Sequence, residues 1–194
     1  MNFFRSKKYN SLTELVQACQ QQDTRAQTML YERYKNKLTG VCLRYARTKA
    51  EAEDIFQESF VKVFRYINEV KDPESIDSWV KAVVIRTAIN YYNRTTKQQE
   101  LNSSLEMHTY DWENDDYVRI IDQLNIEILL KVINQLPDGY RMILNMHLID
   151  GYTHTEIAGI LSIADSTSRS QYLRGRNLLL IKLQELGITQ NEIF

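Results

Sequence analysis

Apolar residues recur along most of this chain at intervals of three and four, the period of a helix with one buried face. The clearest run is Ala52 to Ile67, where Ala52, Ile55, Phe56, Ser59, Phe60, Val63, Phe64 and Ile67 fall on one side. Before it, Ser11 to about Gln22 reads as a capped helix with Leu12, Leu15, Val16 and Cys19 inward. A second helix follows Asp23, with Ala26, Met29, Leu30, Tyr34, Leu38, Val41, Cys42 and Tyr45 as its apolar stripe. Glu69 to Asp77, broken by Asp72-Pro73 and Ser75, is a loop. The helical pattern then resumes from about Ile76 to Tyr92, with Trp79, Val80, Val83, Val84, Ala88 and Tyr91 inward. From about Thr95 to Tyr117 it vanishes. It returns over Ile120 to Leu136, turns at Pro137-Asp138-Gly139, and continues from about Tyr140 to Leu148.

Gly151 to Leu183 combines helix and turn signals in one stretch. Thr153 with Glu156 three residues later is a capping box, so a short helix should start there and run through Ile157, Ala158, Ile160 and Leu161. Ser162 to Ala164 is the turn, and Asp165, Ser166 and Thr167 favour the start of the next helix. That second helix, Ser166 to Lys182, holds Arg169, Arg174, Arg176 and Lys182 with no acidic residue, interleaved with Thr167, Ser168, Ser170 and Gln171. A helix-turn-helix of this composition suits a major groove, where short hydrogen-bonding groups reach base edges and cations reach phosphates.

Composition narrows the class. Two prolines and six glycines in 194 residues leave room for long helices and few tight turns. The expected fold is all-α, with two small helical domains joined by a flexible acidic linker: residues 1–94, a linker over 95–119, and 120–194. Net charge is −1, but it is unevenly spread. Residues 1–100 carry +5, residues 101–135 carry −5 and residues 136–194 carry −1. A basic first block and a cationic helix near the end suggest two nucleic-acid surfaces joined by a segment that avoids DNA. Cys19 and Cys42 make no disulfide framework, MNFFRSKKYNSL lacks a signal-peptide core, and no run nears the ~18 to 20 apolar residues needed to cross a bilayer. A cytoplasmic protein without membrane insertion is expected.

Enzyme chemistry finds little support. His108, His147 and His154 lack zinc-ligand spacing with either cysteine or one another, and there is no Gly-rich phosphate loop or nucleophile motif. No catalytic residue, metal or cofactor is expected. His154, in the capping turn, is expected to be exposed.

Three ordered blocks resemble the extracytoplasmic-function (ECF) sigma factors of bacterial RNA polymerase, in the sigma-70 family. Ala52 to Phe60 (AEDIFQESF) is similar to region 2.2; Ser78-Trp79-Val80 with Ile85 to Tyr91 (IRTAINY) is similar to regions 2.3 to 2.4. Leu136 to Arg141 (LPDGYR), Glu156-Ile157-Ala158 and Thr167 to Arg176 are similar to region 4. The resemblance covers about Asp23 to Leu186. It implies an alternative sigma factor that binds core polymerase through the β′ clamp coiled coil and the β flap and directs initiation at promoter DNA. Asp54, Gln57 and Glu58 would meet polymerase. Lys62, Arg65, Asp72, Ser75, Trp79, Arg86, Asn90 and Arg94 would serve the minus-10 element, with the loop Val70 to Asp77 holding a flipped base. Ser166, Thr167, Arg169, Ser170, Arg174 and Arg176 would read the minus-35 element. An anti-sigma factor is a further partner that the resemblance admits.

Two departures from the family pattern are local. Arg86 and Asn90 stand where Asn and Asp are usual, so base preference at minus-10 does not carry over. Ser162 stands where the turn usually has Gly, and Ala164-Asp165-Ser166 where Ser-Glu-Gly usually opens the recognition helix, so Asp165 is expected to replace the cap. From the residues alone a second class stays open: a repressor or activator whose amino-terminal domain senses a ligand or dimerises.

Overall fold

The structure is a computed structural model that describes residues 9–95 and 126–188. Among the described residues every regular element is helical. The chain divides into two compact units, Met1–Tyr91 and Tyr92–Phe194. Apart from Thr95, the expected linker over 95–119, with His108, lies outside the described residues, as do residues 120–125 of the expected Ile120 helix.

In the first unit α1 (Leu12–Gln20), α2 (Thr24–Tyr45) and α3 (Lys49–Tyr66) are followed by two 3₁₀ turns, Ile67–Glu69 and Pro73–Ser75, and by α4 (Ile76–Thr95), whose last residues, from Tyr92, belong to the second unit. The starts of α1, α2 and α3 are each fixed by a side chain. Ser11 Oγ accepts from Glu14 N at 3.1 Å, Asp23 from Arg25 N at 2.9 Å, and Thr48 Oγ1 from Glu51 N at 3.1 Å. Such a cap satisfies an orphan N–H at the helix start and stabilises by about 1 kcal/mol.

The α2–α3 seam is aromatic. Phe60 sits 4.7 Å from Phe56, 5.1 Å from Tyr31, 5.7 Å from Phe64 and 6.5 Å from Tyr34 by ring centroid, edge to face with Tyr31 and Phe64 and tilted against Phe56 and Tyr34. Pairs of this kind add about 0.5 to 1.5 kcal/mol each beyond their area burial. Ser59 tolerates full burial because its hydroxyl donates to the Ile55 carbonyl at 2.6 Å. Tyr34 donates its hydroxyl to Asp77 at the start of α4, and burial together with that carboxylate pushes its phenol above the ordinary range. Both cysteines are free thiols in the interior; burial pushes Cys19 up to about 11 and Cys42 up to about 12. Met29, expected inward, is instead exposed.

In the second unit α5 (Ile126–Ile133) and α6 (Asp138–Leu144) lead through a π turn, Asn145–Ile149, into α7 (His154–Leu161) and α8 (Asp165–Glu185). Pro137 caps α6, so Asp138 and Gly139 lie inside a helix where a turn was expected. Asp138 holds the buried Arg141 at 2.7 Å. Leu129, Val132, Ile133, Leu136 and Leu144 close on Leu179, Leu180 and Leu183 of α8. Gly175 lets α8 approach α6: a Cβ there would meet Tyr140 Cβ at 3.0 Å and Leu144 Cδ1 at 3.2 Å. Among the described residues no helix is long and apolar enough to cross a membrane.

Candidate nucleic-acid interface

The helix with the strongest pattern presents two unlike faces. Ala52, Ile55, Phe56, Ser59, Phe60 and Val63 of α3 are buried, so Asp54, Gln57, Val61 and Arg65 are left on the outside. Beside them an open groove of about 620 Å³ runs between α2 and α3, lined by Tyr31, Lys35, Glu53, Phe56 and Gln57 among others. Glu58 is only partly exposed and is held at 2.8 Å by Lys62. Lys62 also reaches Thr87 of α4 at 3.4 Å, so this cation, expected to face DNA, braces α3 against α4.

After α3 the chain is locked by its own polar groups. Asp72 accepts from Glu74 N at 3.1 Å, Ser75 Oγ donates to the Asp72 carbonyl at 2.7 Å, and Ser78 Oγ donates to the Ser75 carbonyl at 2.8 Å. Asp72 and Ser75 therefore remain exposed within a set shape rather than on a loose loop. On α4, Arg86, Asn90 and Arg94 are exposed at successive intervals of four, which makes them one stripe, while Trp79 is half-buried.

The helix-turn-helix is built as its pattern implies. Thr153 Oγ1 accepts from Glu156 N at 3.2 Å, and Glu156 accepts from Thr153 N at 2.8 Å. The Thr153 N–H, joined by the Thr153 hydroxyl donating to the same carboxylate at 2.8 Å, holds the Glu156 carboxyl below its ordinary range. Ser162 ends α7 in the left-handed conformation, φ 53° and ψ 49°, and Ile163 N donates back to the Ala158 carbonyl at 3.0 Å. The recognition helix begins differently from expectation. Ala164 occupies the cap position and contributes no side-chain bond, while Asp165 is already helical. Its carboxylate takes Arg169 Nε at 2.6 Å and the Thr155 hydroxyl at 3.1 Å, so it ties α8 to α7 instead of capping α8. The Arg169 guanidinium beside it holds the Asp165 carboxyl below its ordinary range.

Along α8, Ser166, Arg169, Ser170, Leu173 and Arg174 are exposed and Thr167 is partly so. Arg176 corrects an expectation. It is 6% exposed, lying four residues before Leu180 and seven before Leu183 on the buried stripe, and is therefore turned away from any groove. The periodicity carried that signal, since a residue so spaced shares a face with both leucines.

The pattern also missed a cluster. His154 is half-buried rather than exposed. Its ring stacks on His147, both meet Tyr172 edge to face, and its Nδ1 lies 3.0 Å from the hydroxyl of fully buried Ser168 on α8. His147 Nδ1–H donates to the Tyr152 carbonyl at 2.8 Å. Burial, followed by His147 and Arg169, lowers the His154 pKa, and Asp165 opposes them. Sequence spacing gave no hint of this, because it joins three separate elements. Among the described residues no group of three or more His, Cys, Asp or Glu could hold a metal ion.

Comparison with known proteins adds an independent finding. Residues 30–98 match the family model of sigma-70 region 2, and residues 126–179 match that of sigma-70 region 4. The ECF RNA polymerase sigma-E factor of Haemophilus influenzae is 26% identical over 180 residues, covering 89% of this chain and 95% of the relative. That of Escherichia coli K12 is 25% identical over 181 residues, covering 89% and 94%. A solved structure of CnrH in complex with the cytosolic domain of CnrY aligns over 88% of this chain and 96% of that one, at 16% identity and a TM-score of 0.46. The paired matches decide between the two open classes.

Proposed function

Because the chain belongs to the sigma-70 family and is an ECF-type alternative sigma factor of transcription initiation, we propose that α3 docks core RNA polymerase while two separate surfaces hold the promoter. The observation that carries this reading is the outward side of α3. Asp54 and Gln57 stand exposed on a helix whose opposite side is core, beside the α2–α3 groove. A carboxylate and an amide set on a rigid helix suit a cationic helical partner such as the β′ clamp coiled coil, where complementary charge gives register and speeds encounter. Glu58 contributes to the same negative surface while anchored by Lys62.

In this reading the minus-10 strand runs past Arg65, Trp79, Arg86, Asn90 and Arg94, and the loop around Asp72 and Ser75 receives one base turned out of the stack. Unstacking a base costs a few kcal/mol, which stacking on aromatics and contacts to cations offset. The exposed residues of α8, from Ser166 to Arg174, read the minus-35 duplex, and the helix-turn-helix unit also meets the β flap. The chain acts by binding alone, in the cytoplasm where polymerase works.

Asp54→Lys tests it. The variant should keep its helical circular dichroism and lose at least tenfold in affinity for core polymerase, as expected for a like charge placed in a charged interface. Asp54 is the better target than Glu58, whose replacement would also release Lys62. Unchanged core binding would reject the proposed docking surface.

A further inference from the structure

Gln20, the last residue of α1, reaches across the first unit to a segment far along the chain. Its Nε2 donates to the Ile67 carbonyl at 3.2 Å and to the Val70 carbonyl at 3.0 Å. Both carbonyls belong to the 3₁₀ turn that ends α3, and the side chains of Ile67 and Val70 are buried there. Ile67 O also takes Val70 N at 3.2 Å, so the amide closes the turn from outside. At the far end of the same segment Thr13, also on α1, donates its hydroxyl to Glu74 at 3.3 Å. The backbone between these two points, Lys71 to Ser75, is therefore fixed at its entry by Gln20 and at its exit by the bonds of Asp72 and Ser75.

We propose that Gln20 is a positioning residue for promoter opening, one that sets the shape of the Val70 to Asp77 loop so that its exposed groups meet an unstacked base. The inference rests on the reading of that loop given above. A loop that has to order itself on binding would lose affinity to that ordering; one already held by an amide fork and its own side-chain bonds does not. Gln20 touches no base. It acts through two carbonyl oxygens, and its removal should change what the loop distinguishes rather than whether the unit folds.

The test uses holoenzyme assembled from the full chain and core polymerase. Two labelled non-template strands span a minus-10 element mapped from this holoenzyme's own transcription starts, one intact and one abasic at the captured position. The ratio of their affinities measures base capture. Gln20→Met keeps the length of the side chain and removes both donors, and should lower that ratio roughly three- to tenfold, the loss expected for hydrogen bonds of ordinary strength. Gln20→Glu, which sets a carboxylate against two carbonyl oxygens, should lower it at least as far, and Gln20→Lys, which keeps N–H donors, should recover part of it. A purely structural role would weaken both strands alike and leave the ratio where it was. An unchanged ratio in Gln20→Met and Gln20→Glu, with Asp72→Ala plus Ser75→Ala collapsing it, overturns the role of Gln20. If the unaltered holoenzyme itself does not prefer the intact strand, the loop captures no base, and the reading beneath the inference fails with it.

Discussion

His147 and His154 stack with ring centroids 4.4 Å apart and planes 19° from parallel. The first belongs to the π turn and the second opens α7, and Tyr172 and Ser168 of α8 complete the contact. Helix α8 thus rests on two imidazoles, and its seating is sensitive to the charge of His154.

The sign of that sensitivity follows from His154. Its folded pKa lies below the ordinary 6.5, so as pH falls the unfolded chain takes up this proton first. Stability from this group is therefore complete above about 6.5 and declines as pH drops toward the lowered folded value. Glu156 and Asp165, also lowered, contribute stability that is complete above their ordinary 4.5 and 3.8 and is lost only as pH falls below those values, so they leave the loss beginning at 6.5 to His154. The imidazole resonance of His154 should titrate below 6.5, and His154→Gln should flatten the loss of stability as pH falls below 6.5. A titration midpoint at or above 6.5 would contradict the buried stack.

Arg174 and Arg176 should part company. Arg174→Ala, on the exposed side of α8, should weaken minus-35 binding by roughly 1 to 3 kcal/mol if it reaches a base, or flatten the salt dependence if it reaches phosphate. Arg176→Ala should act on the fold, lowering stability by on the order of 2 to 4 kcal/mol through the packing lost around a buried side chain. Thermal unfolding and duplex binding measured on both variants separate the two effects; equal stability of the two proteins would be incompatible with a buried Arg176.

Ser162 holds a left-handed conformation that glycine adopts without strain. Ser162→Gly should raise the melting temperature, by an amount equivalent to no more than about 1 kcal/mol, since relief of the steric conflict exceeds the added freedom of the unfolded chain. Differential scanning calorimetry decides it, and a lower melting temperature would argue against that turn geometry.

Gly175 is the opposite case, a helical glycine whose space is already taken. The Cβ of an alanine would press on Tyr140 Cβ, an atom fixed to its own backbone and unable to swing aside. Gly175→Ala should cost about 1 to 3 kcal/mol despite the better helix propensity of alanine. Chemical denaturation of the variant gives the check.

Much of the candidate site was legible because its signals are local. Ser11 and Thr153 cap the helices that follow them, and the apolar period of α3 alone leaves Asp54 and Gln57 outside. The start of α8 was misread for a related reason. Asp165 has the chemistry of a cap, but Thr155 and Arg169 lie close enough to claim its carboxylate, and the backbone placed Ala164 at the cap instead.

The sequence by itself determined most of the helices among the described residues and that one of them carries hydroxyls and cations, since period and capping act within a turn or two of the backbone. Only the tertiary structure decided which of those groups face outward and what holds them there. Arg176 turned inward, His154 found a ring to stack on, and Gln20 bound carbonyls 47 and 50 residues away. Each depends on which elements pack against one another, and that arrangement minimises buried unpaired polar surface over a whole unit, a sum to which no short stretch of sequence has access.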